Sequence, residues 1–391
     1  MTTAATEDMR STTSGGILHL AFELGRKKWK LGFTIGLGQK ARKKDVTGGA
    51  TAAVLTEIAA AKRRFVLPED ARVVSCYEAG PEGFWLHRWL LSIGVENVVV
   101  DSASIEVDRR KRRAKSDGLD VQGLLKLLCR HTMGEPKVWS VVRVPPPQIE
   151  DFRQLHRELA TLTEERTRIR NRVRGLLAAQ GAAVRRWSTV REDLATIRLW
   201  DGSVLGEGLR QRLEREIERM EVVQRQIRGI ERTMQAELEE AATAGSALAM
   251  LQRLASQRGI GAQGARSMVV ELFAWRGFRN RRAVGGCTGL TPTPYQSGNT
   301  VHEQGIDKAG NVWLRRVATQ LAWSWVRWQP HSEITQWFNR RFATAGRRQR
   351  RVGIVGVARR LMIALWRYAC GAELPGVVTG PGEVYVLRKV A

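Results

Sequence analysis

The residues best suited to chemistry are carboxylates next to a dense cationic run. In residues 109–128 (RRKRRAKSDGLDVQGLLKLL), Arg109, Arg110, Lys111, Arg112 and Arg113 lead through Lys115 and Ser116 to Asp117, and Asp120 follows three residues later. Ser116 can cap a helix by accepting a bond from an orphan N–H. Asp117 and Asp120 then share one face of the first turn. Oxygen ligands of this kind suit a hard divalent cation, Mg2+ or Mn2+, facing a phosphate backbone. The same two acids would also complement the helix dipole, which is all an isolated D-x-x-D needs to do. Two further acids, Glu23 and Glu78, fall on or just after predicted strands. A sheet can gather acids distant in sequence, so that they hold two metal ions roughly 4 Å apart for in-line phosphoryl displacement. The metal charge offsets the repulsion between packed carboxylates.

Elements that would position these acids are legible in the patterning. Residues 17–24 and 28–35 read as strands joined by a turn at 25–27, the second alternating polar and apolar. A third strand is expected over 40–47 and an alanine-rich helix over 49–65. A short buried strand covers 72–77 and ends at Glu78. A helix over 81–93, a strand over 95–101, a helix from Ser116 to about Cys129 and a weak strand near 137–142 complete an α/β domain with a mixed sheet. Pro145, Pro146 and Pro147 mark a boundary. Beyond it, Phe152, Leu155, Leu159, Leu162, Ile169, Val173 and Leu176 recur at helical spacing. Leu209, Leu213, Ile217, Met220, Ile227, Ile230, Met234 and Leu238 do the same. The wide charged faces between them predict an antiparallel coiled-coil arm. From Ala242 the composition changes to a mainly helical domain. There, residues 259–265 (GIGAQGA) look like the tight turn of a helix-hairpin-helix, and a polar loop is expected around 291–299.

The chain has 391 residues, room for two or three domains, and a formal net charge of +25. That excess predicts a polyanionic partner, nucleic acid before a membrane surface. No run approaches the roughly 18 apolar residues of a spanning helix, no signal peptide is visible, and a cytoplasmic setting is expected. Cys76, Cys129, Cys287 and Cys370 are scattered without a C-x-x-C pair, and they read as reduced thiols rather than zinc ligands. The phosphate loop of an ATP-driven motor is missing from the sequence. Trp313, Trp323, Trp325 and Trp328 stand near Arg315, Arg316 and Arg327, either as platforms for unpaired bases or as an aromatic core. A further basic cluster, Arg347 to Arg351, precedes a helix expected over 355–368.

One acid on the first strand, one after the fourth and two opening a later helix is the layout of an RNase H-like nuclease core. The chain resembles the DEDD transposases of the IS110 insertion-sequence family, the bridge-RNA-guided recombinases. The resemblance runs over about residues 17–370. It is carried by YEAGPEGFWL (77–86), KSDGLD (115–120), GIG (259–261), GLTP (289–292), SGN (297–299) and KAGNVWLRR (308–316). It implies a RuvC-like α/β domain (17–147) after a disordered start (1–16), a coiled-coil arm (148–241), a helical transposase domain (242–370) and a tail (371–391). The four family acids correspond to Glu23, Glu78, Asp117 and Asp120, with Glu23 one methylene longer than the usual aspartate. The family's serine nucleophile corresponds to Ser297. Serine needs activation at neutral pH, for which the acidic domain's metal is the candidate. The resemblance further implies target and donor DNA, a bridge RNA encoded by the element, a covalent phosphoserine intermediate and a homodimer or homotetramer in a bacterium or archaeon. Expected nucleic-acid contacts are the 109–113 run with Lys115, Lys308, Arg315, Arg316, Arg347 and Arg348. Two other readings stay open: a junction nuclease in which water attacks, and a binding protein without catalysis.

Overall fold

The computed structural model describes residues 16–81, 83–105, 117–240, 246–297, 300–308 and 310–372, with Leu374 and Val377. The chain falls into two compact units, Met1–Val144 and Pro145–Ala391.

In the first unit, β1 (Leu18–Leu24), β2 (Lys28–Thr34), β3 (Arg42–Thr47), β4 (Val73–Glu78) and β5 (Glu96–Val100) form one mixed sheet in the order β3-β2-β1-β4-β5. β1, β2 and β3 are antiparallel neighbours, whereas β4 lies parallel to β1 and β5 parallel to β4. Helices α1 (Thr51–Arg64), α2 (Trp85–Ser92) and α3 (Asp117–Thr132) complete the unit. Alternation along β1 sends Leu18, Leu20 and Phe22 to a core shared with Val54, Ile58, Leu86 and Leu90. Ala21 faces the other way, toward Val121, Leu124, Leu125 and Leu128 of α3. Burial on both faces explains why β1 and β4 read as apolar runs rather than strict alternations. Burial pushes the Cys76 and Cys129 thiols up, so both stay neutral.

The strand expected near 137–142 shrinks to a bridge between Val100 and Val141. Lys137 has φ of +62° and Pro136 lacks an N–H, so the chain turns before a ladder can form.

The second unit opens with α4 (Pro147–Phe152), α5 (Gln154–Ala178), α6 (Val190–Asp193) and α7 (Glu207–Glu240). Leu159, Leu162, Ile169 and Val173 of α5 meet Leu213, Ile217, Met220 and Ile227 of α7 in one seam. The two helices run antiparallel. Arg172 pairs with Glu216 at 2.9 Å, and Arg266 joins Glu237 to the Phe152 carbonyl at the other end. Residues 150–240 hold 18 arginines, no lysine and 17 acids. The net charge of the chain therefore lies almost wholly outside this helical pair.

Next come α8 (Ser246–Ala255), α9 (Gly261–Met268), a π-helical turn (Val269–Phe273), α10 (Arg281–Thr288), β6 (Pro292–Ser297), β7 (Thr300–Ile306), α11 (Val312–Trp328), α12 (Glu333–Phe342) and α13 (Arg347–Ala369). The tight turn expected at 259–265 joins α8 to α9. Gly259 has φ of +92°, and a Cβ there would lie 3.3 Å from Trp328 Cβ. Trp325 is fully buried, so it belongs to the core and is no stacking platform, while Trp323 is 44% exposed. The basic cluster at 347–351 is the first turn of α13 rather than a segment ahead of it.

Glu271, in the π-helical turn, is 1% exposed. It accepts bonds from Arg153 Nη2 (2.8 Å), Arg157 Nε (2.9 Å) and His156 Nε2 (3.1 Å), all at the start of α5. Burial disfavours its charge, but the bonds from His156, Arg157 and Arg153 outweigh that and hold its carboxyl well below the usual range. The start of α5 and the π-helical turn are thus joined by a charge cluster centred on buried Glu271, whose members are far apart in sequence.

Candidate active site

Register places the first two acids side by side. In the parallel pair of central strands Phe22 is matched with Tyr77, so Glu23 and Glu78 follow at the next position on adjacent strands. Both share the face of Ala21, Val74 and Cys76, the side covered by α3. Both are half-buried.

The placement of α3 brings the other pair to the same end of the sheet. Val121 lies over Gly32, the partner of Ala21 in the β1–β2 ladder. The Cys76 thiol points at the Leu124 carbonyl (4.0 Å), and at the far end Thr132 bonds His19 Nε2 (2.9 Å). The helix therefore runs back along the sheet, with its first turn toward the carboxyl ends of β1 and β4. Asp117 and Asp120 open that turn, and Asp120 is half-buried. The side chain of Asp117 and all of residues 106–116 lie outside the described residues, including Arg109, Arg110, Lys111, Arg112, Arg113, Lys115 and Ser116. Among the described residues no three candidate ligands lie close enough together to hold a metal ion. The donor set of carboxylate oxygens is nevertheless the kind that magnesium or manganese takes. Asp101, just past β5, is a further acid at this end of the sheet.

Ser297 sits elsewhere, in the second unit. The polar loop expected around it is a β-hairpin: β6 and β7 pair from Pro292↔Ile306 to Ser297↔Thr300, leaving two residues between the strands. The sequence signal that could have found it is a Gly-Asn pair between two short runs with strand character. Ser297 is the last residue of β6, at the tip of the ribbon.

The base of the hairpin is clamped. Asn311 N donates to Cys287 O (2.9 Å), Lys308 N to Gly289 O (3.2 Å) and Asp307 N to Thr291 O (2.8 Å). Asn311 also caps α11 by accepting from Leu314 N. The GLTP and KAGN segments thus meet each other, although the sequence shows only their separate spacing. Lys308 is exposed and has φ of +62°. Arg315 donates from Nη1 to the carbonyls of Lys308 and Thr288. Arg316 lies over the Trp313 ring at 4.8 Å, and Arg347 and Arg348 line a shallow groove with Arg351, Val352 and Val355.

Residues 251–335, from α8 into α12, match the model of the IS116/IS110/IS902 family transposase domain. A Sinorhizobium fredii protein named as a transposase, y4rJ, is 38% identical over 93% of this chain and 94% of its own length. This chain belongs to that transposase family. The matched transposase segment contains the helix hairpin, Glu271, the Ser297 ribbon and its clamp. A more distant relative is the transposase for insertion sequence element IS1328 of Yersinia enterocolitica, 28% identical over 53% of this chain and 58% of its own length. Among the transposase's described residues, no helix is long and apolar enough to cross a membrane.

Proposed function

We propose that this transposase moves an insertion sequence by cutting and rejoining DNA, with Ser297 as nucleophile and Glu23, Glu78, Asp117 and Asp120 as the magnesium- or manganese-binding acids. The observation that carries the reading is the family relationship over nearly the whole chain. The sheet order β3-β2-β1-β4-β5, with acids at the carboxyl ends of the two central strands, supports a RuvC-like first unit. The arginine- and glutamate-rich helical pair fits a coiled-coil arm. The net charge of +25 fits DNA together with a structured guide RNA encoded by the element.

In the proposed step, Ser297 Oγ forms a bond to a backbone phosphorus. A bridging P–O bond breaks, and the released sugar oxygen takes up a proton. Bound metal would supply charge neutralisation at the phosphoryl group. Exchange would follow when a different sugar oxygen attacks the phosphoserine and restores the serine hydroxyl. The acids and the serine lie in separate units, and assembly of a homodimer or homotetramer would let one protomer complement another.

Ser297→Ala decides between serine and water. With a plasmid carrying the gene and its flanking DNA, and RNA transcribed from the same region, the variant should form no covalent protein–DNA adduct and no recombinant. Circular dichroism and nucleic-acid binding should be unchanged. Cleavage at the full rate by Ser297→Ala would instead make this a metal-dependent junction nuclease.

A further inference from the structure

We propose that Arg315 is a positioning residue for the Ser297 hairpin, acting at the base of the ribbon rather than on the phosphate; this rests on the reading of Ser297 as nucleophile. Arg315 Nη1 donates to Lys308 O at 2.9 Å and to Thr288 O at 3.5 Å. Those carbonyls lie on opposite sides of the clamp. Thr288 ends α10 ahead of β6, and Lys308 follows β7. One guanidinium therefore ties together the two chain segments between which the ribbon is held. Thr288 O is one of the carbonyls a helix end leaves without an intrahelical donor, so the bond also satisfies α10.

The packing around this contact leaves no slack. A Cβ at Gly289 would lie 2.5 Å from Arg315 Nη1 and 2.9 Å from Gly310 N. A Cβ at Gly310 would lie 2.4 Å from both Cys287 O and Gly289 N. Lys308 holds φ of +62°, a conformation an L-residue keeps only when its surroundings enforce it, and its carbonyl is the one Arg315 grips. From the clamp to the Ser297↔Thr300 pair the ribbon spans about 17 Å, at about 3.4 Å per residue. A tilt of about 10° at its base would move the tip by about 3 Å, and misplacement of about 1 Å can cost about a hundredfold in rate. Presentation of the serine hydroxyl thus depends on a contact remote from it. The same geometry commits Arg315 Nη1 to backbone carbonyls.

The test uses full-length Arg315→Ala and Arg315→Lys, with Ser297→Ala in parallel. Three quantities are read: covalent adduct formation on the plasmid substrate, the salt dependence of binding to a short random-sequence duplex, and hydrogen exchange of the β6 and β7 amides. A positioning role predicts that Arg315→Ala lowers adduct formation about a hundredfold. Its hairpin amides should exchange at least about tenfold faster, while those of the arm stay unchanged. The slope of log affinity against log salt should not move. Arg315→Lys should not rescue, because the lysine ammonium ends one bond short of the position from which Nη1 reaches both carbonyls. Rescue by lysine, together with a slope reduced by about one in Arg315→Ala, would make Arg315 a phosphate ligand and overturn the proposal. Wild-type exchange and wild-type adduct yield in Arg315→Ala would overturn it as well. Should Arg315→Ala not fold, Arg315→Gln, which keeps a neutral donor, gives the same three readouts. If Ser297→Ala still cleaves at the full rate, the serine reading itself fails, and the hairpin exchange data show whether the clamp exists without it.

Discussion

Gly32 and Val121 are in direct apposition: a Cβ built at Gly32 would sit 2.2 Å from Val121 Cγ1 and 2.9 Å from Leu125 Cδ1. The missing side chain lets α3 rest on the sheet at the level of Ala21, two residues before Glu23. Gly32→Ala should destabilise the first unit by about 1–3 kcal/mol through overpacking. It should also lift the helix that carries Asp120 and reduce DNA cleavage. Adding Val121→Ala should recover part of both losses in a double-mutant cycle read by urea unfolding and cleavage rate. Additive effects would mean that the helix does not rest on Gly32 in solution.

Asp120→Asn and Asp117→Asn should each abolish DNA cleavage and leave nucleic-acid binding nearly unchanged, since each neutralises one proposed metal ligand and removes no basic residue. Gel-based cleavage and filter binding check this. Recombination at normal rates by both variants would remove the metal site from consideration. Glu23→Asp should retain activity, because aspartate keeps a carboxylate at the same strand position for the proposed metal site.

Replacing Arg109, Arg110, Lys111, Arg112 and Arg113 by alanine should flatten the salt dependence of DNA binding by up to about 4.5 units in slope, at about 0.9 for each phosphate no longer neutralised. Titrations at several salt concentrations measure it. An unchanged slope would assign the run to a solvated surface.

Glu271→Gln should cost about 3–5 kcal/mol, because it leaves Arg153 facing a neutral group where the pair is buried. The carboxyl is held below its ordinary value, so the folded state favours the ionised form. Its stabilisation is complete above the ordinary carboxylate range and is lost as pH falls toward the depressed folded value. Wild-type stability should therefore fall more steeply with acid than that of Glu271→Gln below about pH 4.5, where an unfolded glutamate begins to protonate. Parallel slopes in denaturant melts across that range would place the charge cluster outside the folded protein's energetics.

Local properties of the chain were enough to read the strands of the first unit, the long amphipathic helices α5 and α7, the break at Pro145 to Pro147 and the basic excess. Each depends on periodicity or on a residue's own dihedral limits, which neighbours in sequence carry. The pairing of Glu23 with Glu78 needed the parallel register of β1 on β4, whose matched residues Phe22 and Tyr77 lie far apart in sequence, a relationship no local pattern encodes. The Ser297 hairpin carries only a Gly-Asn turn signal, because its strands are short and polar and contain Pro292 and Pro294, which weaken the strand signal on that side. Arg315 reads in the sequence as one more nucleic-acid-facing cation, and nothing local to Arg153 or Arg157 marks a buried partner. Charge type is written in the sequence, but whether a guanidinium meets phosphate, a buried carboxylate such as Glu271 or a carbonyl such as that of Lys308 is decided by what the fold packs around it.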